Sequence, residues 1–246
     1  QSGEAKGTKY NATIGMATTD EGIMYTDALY NQFGTQDPSD IFPYAPPQGD
    51  ERLRTLWQHK ILKDNPDLSA DDISKPVVTN ALTHGLSLAG DLFVDAQDTI
   101  LLPEHNWGNY KLAFGVRHSA NIETYKAFEE DGSYTLEYFK HALEQYNKEK
   151  VILVLNFPNN PTGYTPVVEE VKEMVEAIKQ LADKGTQVIT LVDDAYYGLF
   201  FEDVYKQSVF TAITALNHVN IMPVKIDGAT KEYFSWGFRV GFLTFG

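Results

Sequence analysis

From residue 50 onward, apolar positions recur first at helical spacing and then in short unbroken runs, and the two patterns alternate to the end of the chain. Residues 50–63 place Leu53, Leu56, Trp57, Ile61 and Leu62 near one face of a helix. A short strand at 76–79 leads into a helical pattern over 82–96, and the apolar run 99–102 reads as a buried strand. A helix near 109–115, a strand at 121–125 and a helix over 133–148 follow. Residues 151–157 hold six apolar side chains and one Asn in seven positions, the composition of a strand covered on both faces. Thr165 and Pro166 make an N-cap and first-turn pair with Glu169 and Glu170 behind them; Val167, Val171, Met174, Val175, Ile178 and Leu181 then recur at helical spacing until Gly185. Further strands are expected at 188–192, 221–226 and 239–245.

Strand and helix in turn imply an α/β fold: a mainly parallel sheet with right-handed crossovers and helices on both faces. Ligands in such sheets bind at the carboxyl ends of the strands. The Pro-rich stretch 38–47 is the one long irregular segment; it divides an arm, residues 1–45, from a body, residues 46–246.

A chain of 246 residues can bury a sizeable core. No apolar run approaches the ~20 residues that span a bilayer, so membrane insertion is not expected. Residues 1–10 show no apolar run of a retained secretory signal, which makes the cytoplasm the default location. A net charge of -14 would repel phosphate backbones, so nucleic acid is not an expected partner. With no Cys and six scattered His, thiolate chemistry is absent and a metal site is not expected.

Three polar segments follow predicted strands. Asn156-Phe-Pro-Asn-Asn-Pro-Thr-Gly163 combines rigid turn residues with amide side chains, and reads either as a plain chain reversal or as a ligand-facing loop. Asp193-Asp-Ala-Tyr196 leaves a strand directly; a carboxylate at that depth either caps or pairs within the fold, or meets a cation such as a protonated heterocyclic nitrogen. Lys231, read alone, is a surface lysine; beside other cations in a dry pocket its amine becomes a nucleophile toward a carbonyl. Arg239, eight residues on, has a planar fork suited to a phosphate.

Together these segments resemble the class I and II aminotransferases of fold type I, which work with pyridoxal 5'-phosphate (PLP), and most closely the aspartate and aromatic aminotransferase subgroup. Asn-Pro-Thr-Gly, then Asp-x-Ala-Tyr, then Lys with Arg eight residues later is that family's order and approximate spacing, and the resemblance runs from about Asn11 to the end. It implies the three-layer large PLP-binding domain of the aspartate aminotransferase fold. It also implies a homodimer that moves an amino group between an L-amino acid and a 2-oxo acid by a ping-pong route.

By the same resemblance, Lys231 is the Schiff-base lysine, Asp193 pairs with the pyridinium nitrogen, Tyr196 and Asn160 bond the 3'-oxygen, and Trp107 stacks on the ring. Thr83, the backbone of Ala81 and Leu82, Gly228, Thr230 and Arg239 form the phosphate cup. Tyr44 reaches the neighbouring subunit's phosphate, and Gly15, Asn160 and Trp107 lie near the substrate. Two departures stand out: Ala81 and Leu82 occupy a turn the family often fills with Gly or Ser, and Gly228 occupies a position commonly Ser. The family's chains continue into a small domain carrying the arginine for the substrate α-carboxylate, and these 246 residues are expected to lack it. A lyase or decarboxylase on the same fold, or a regulatory PLP-binding module, remains an alternative.

Overall fold

The computed structural model describes Gly7 and residues 15–246. Residues 1–10, read above for a signal, and Asn11, where the resemblance begins, lie outside the described residues apart from Gly7.

The arm contains no buried residue from 15 to 45. It holds the short ladder of β1 (Thr18–Thr19) and β2 (Gly22–Ile23) and the single turns α1 (Asp27–Tyr30) and α2 (Pro38–Ile41). The body opens with α3 (Glu51–Asp64), capped by the Asp50 carboxylate, which accepts from the Leu53 N–H at 2.8 Å. Trp57 and Ile61 are buried on its inner face, whereas Leu56, expected there, points to solvent.

There follow β3 (Val77–Asn80), α4 (Ala81–Phe93), β4 (Thr99–Pro103), a π-helix (Lys111–Val116), β5 (Asn121–Tyr125) and α5 (Glu137–Glu144). Next come β6 (Lys150–Asn156), α6 (Val168–Asp183), β7 (Gln187–Asp193), α7 (Val209–Thr214), β8 (Ile221–Gly228), α8 (Ala229–Glu232) and β9 (Val240–Phe245). The helix expected over 133–148 is shorter, because Asp131 takes the Ser133 N–H at 2.9 Å and turns the chain before it. Thr165 is not the N-cap of α6. Val167 occupies that place, its N–H donating to Glu170 at 2.8 Å, while the Pro166 carbonyl accepts from Tyr205. Helix α7 had no counterpart in the periodicity.

Seven strands form one sheet in the order β3-β9-β8-β7-β6-β4-β5. The strands from β8 across to β5 are parallel, and β9 alone runs against its two neighbours, β8 and β3. Strand β6 shows why the sheet is central: Val151, Leu153 and Leu155 face one core while Ile152 and Val154 face another. The first core packs under α3, α5, α6 and α7, and the second under α4 and the π-helix, giving three layers. Each fully buried aliphatic side chain contributes roughly 1.5–3 kcal/mol, so the layers hold the strand ends firmly. Among the described residues no helix is long and apolar enough to cross a membrane, and no cluster of acidic and histidine side chains could hold a metal.

Candidate active site

The candidate residues that share a cavity all sit at one edge of the sheet. Strands β3, β4, β6, β7 and β8 deliver Ala81, Trp107, Asn160, Asp193 and Lys231 at or just beyond their carboxyl ends. Arg239 reaches the same edge from the opposite direction, since the antiparallel β9 begins there. Ala81, Leu82, Thr83, Trp107, Tyr110, Asn156, Asn160, Asp193, Ala195, Tyr196, Thr230, Lys231 and Arg239 enclose about 200 Å³.

Asp193 is 3% exposed. One carboxylate oxygen accepts from the Tyr110 hydroxyl at 2.7 Å and the other from the Ala195 N–H at 3.0 Å. Burial pushes its pKa up to about 6 against the hydrogen bond from Tyr110 that favours the anion. No cation forms a salt bridge with it among the described residues. Asn156 steadies this corner: its amide donates to the Asp193 carbonyl at 2.8 Å, and its Oδ1 accepts from the Asn160 N–H at 2.8 Å.

Lys231 Nζ donates to the Gly15 carbonyl at 2.6 Å and lies 5.3 Å from the centre of the Tyr196 ring. Partial burial, and secondarily the positive charge of Arg239, hold its amine below the usual lysine range. A methyl group on Gly15 would sit 2.7 Å from Lys231 Nζ, so the glycine leaves room for the amine. Burial raises the Tyr196 hydroxyl, and Asp193 adds to the effect.

The turn into α4 carries backbone strain: Ala81 has φ +60, the left-handed region that glycine prefers. It is pinned there by Gly241 of β9, on which a methyl would meet the Ala81 carbonyl carbon at 2.6 Å. No side chain caps α4, so its first N–H groups remain open toward an anion. Thr230 is buried, and its hydroxyl has no partner among the described residues. Trp107 packs edge-on against Tyr110, ring centres 5.6 Å apart.

Two expected residues lie elsewhere. Gly228 ends β8 and does not line this cavity; its backbone packs on β9 so closely that a methyl would meet the Val240 carbonyl at 2.6 Å. Tyr44 is fully exposed on the arm and does not line it either. Conversely, the parts played by Tyr110, Asn156 and Ala195 were not foreseen. Asn156 belongs to the quoted Asn-Pro segment and Tyr110 lies one helical turn beyond Trp107, but nothing local links either to Asp193.

A three-layer α/β domain with a lysine, a buried aspartate and a phosphate-suited turn at one sheet edge defines a class of cofactor-binding domains. Within it, the chain belongs to the family described as aminotransferase class I and II, whose sequence pattern matches residues 17–245. That family is PLP-dependent. The cytoplasmic aspartate aminotransferase of Caenorhabditis elegans is 25% identical over 242 residues, 96% of this chain and 58% of that protein. The histidinol-phosphate aminotransferase of Caldanaerobacter subterraneus subsp. tengcongensis is 30% identical over 164 residues, 67% of this chain and 40% of that protein. A crystal structure of an aminotransferase from Anaerococcus prevotii superposes with TM-score 0.83 at 22% identity, covering 99% of this chain and 60% of that one. The chain spans about half the length of the curated relatives it matches.

Proposed function

We propose that this chain is the PLP-binding part of an aminotransferase that moves an amino group from an L-amino acid of the aspartate or aromatic type to a 2-oxo acid. The observation that carries the reading is Asp193: a deeply buried carboxylate, with no salt-bridge partner among the described residues, faces a cavity whose wall includes Arg239, the Thr230 hydroxyl, unpartnered among those residues, and the open end of α4. A cationic ring nitrogen answers the first feature and a phosphate the second, which is the donor set PLP asks for. When bound, PLP supplies an electron sink for the carbanion formed at the substrate α-carbon.

The chain's own residues do the rest. Lys231, its amine neutral more often than an ordinary lysine's, is the nucleophile, and later carries the proton to and from the α-carbon. Asp193 stabilises the protonated ring nitrogen, and Tyr110 and the Ala195 N–H hold its carboxylate in place. Tyr196 and Asn160 direct donors toward the 3'-oxygen, and Trp107 covers the ring. Thr83, the Ala81 and Leu82 amides, Thr230 and Arg239 hold the phosphate, with Gly228 shaping the turn behind it. Gly15, Asn160 and Trp107 border the substrate. Residues 1–45 act as an arm and 46–246 as the large domain; in a homodimer, Tyr44 reaches the partner's phosphate.

Loading the protein with PLP and adding amino acid alone tests this. Release of one equivalent of 2-oxo acid per bound cofactor, without ammonia, is expected; ammonia released together with pyruvate, or an amine, would instead mark a lyase or decarboxylase.

A further inference from the structure

The single turn α8 carries Lys231, and four residues cannot hold a helical shape in water by themselves. The Ser235 hydroxyl donates to the Ala229 carbonyl at 2.6 Å, and two further contacts hold the turn from the side away from the cavity. Two residues before the turn, Asp227 accepts a hydrogen bond from Trp57 Nε1 at 3.0 Å. At its end, Glu232 pairs with Lys60 at 2.9 Å. Trp57 and Lys60 are three residues apart on α3, hence on one face, one turn apart. Asp227 and Glu232 thus bracket the Lys231 turn, and both brackets close on the same short stretch of a 14-residue helix packed into the core.

Lys60 is itself held tightly. It pairs with Asp64 as well, and its ammonium lies 5.3 Å from the Trp57 ring, 5.7 Å from Tyr197 and 5.8 Å from Tyr233. The space enclosed among Trp57, Lys60, Asp227 and Glu232 is about 10 Å³, no more than a water needs. It is therefore not a ligand site. Neighbouring Lys225 is occupied by Asp194 and Asp227, which leaves Lys60–Glu232 as the ion pair that reaches the turn among the described residues.

We propose that Trp57 and Lys60 are positioning residues, a two-point anchor on α3 that fixes where the Lys231 amine lies by gripping Asp227 and Glu232. This rests on Lys231 being the reactive amine. The anchor sets the rotation of the α8 turn: Glu232 directed at α3 places Lys231, about 100° round the helix, toward Gly15 and Tyr196. Nothing in this requires Lys60 to touch cofactor or substrate.

The test is the rate at which PLP becomes fixed on Lys231. The amine condenses with the aldehyde, releasing water; borohydride then delivers hydride to the carbon, a proton goes to nitrogen, and the stable product is located by peptide mass. Glu232→Gln and Lys60→Met should each slow this about tenfold or more, since displacements on the order of 1 Å cost up to about a hundredfold, and the double variant should be no slower than the worse single one. Glu232→Asp, which keeps the charge but shortens the reach, should also be slow, whereas a role in folding alone would leave its rate unchanged. Labelling of Lys231 in the cofactor-free chain by dinitrofluorobenzene supplies a readout independent of PLP, and circular dichroism checks the fold. Wild-type rates in Glu232→Gln and Glu232→Asp would overturn the anchor. If PLP in the wild type is fixed on a lysine other than Lys231, the proposed function itself falls, which is a separate outcome.

Discussion

Replacing Asp193 by Asn in the cofactor-free chain should change how stability responds to pH. Burial lifts the carboxyl from 3.8 to about 6 in the folded chain, whereas unfolding returns it to the ordinary value. Between these values the folded state keeps a proton that the unfolded state has lost. The contribution of Asp193 to stability is therefore greatest below the lower value, falls as pH rises from about 4 to about 6, and stays lower above. The gap is about two pH units, and at about 1.4 kcal/mol per unit the bare carboxylate costs the fold about 3 kcal/mol at neutral pH. Asp227 is also raised by burial and gives the same trend, so the informative quantity is the difference between the two proteins. Urea unfolding at pH 4, 5, 6, 7 and 8 measures it. The Asp193→Asn variant rearranges one hydrogen bond and so starts from an offset, but relative to wild type it should gain about 2.4 kcal/mol between pH 4 and pH 7. Parallel curves for the two proteins would refute the reasoning. PLP, by supplying a cation, should shift wild type toward the variant's flatter profile.

Tyr110→Phe removes the one side-chain donor to Asp193 among the described residues; a hydrogen bond to a charged group is worth about 1.5–3 kcal/mol, so the carboxyl should titrate about one to two pH units higher, read by carbon-13 NMR of the side chain. Gly15→Ala puts a methyl 2.7 Å from Lys231 Nζ and 3.2 Å from the Tyr196 hydroxyl. Both are ends of flexible side chains, so the melting temperature should hold while dinitrofluorobenzene labelling of Lys231 changes roughly two- to tenfold, the worth of its lost hydrogen bond. Gly241→Ala drives a methyl into the Ala81 backbone, where φ is already +60. Overpacking of about 2 kcal/mol should lower the melting temperature by roughly 4–8 °C; an unchanged value would show that the Ala81 turn is free to move.

Much of the body was legible because its signals are local. Of the six residues its spacing singled out, helix α6 buries Val171, Met174, Val175, Ile178 and Leu181 and leaves Val167 half-buried at its N-cap, and β6 is covered on both faces as its composition demanded. Errors occurred where short-range hydrogen bonds compete with periodicity, as at Ser133 and Val167. Asp193 and Lys231 each kept a plain structural reading when taken singly; their order and their places after strands decided between the readings.

The chain by itself determined which residues end strands, and with them one edge populated by Ala81, Asn160, Asp193 and Lys231. Only the tertiary structure decided that β9 runs backward, which turns Arg239 from a residue at the far edge into a wall of the cavity. It also decided that Tyr110 meets Asp193 across 83 positions and Trp57 meets Asp227 across 170. The physical reason is one of range. Periodicity and turn chemistry act over a few residues, whereas strand direction and the partner of a buried polar group are chosen by packing between distant segments, which leaves no mark in the local pattern.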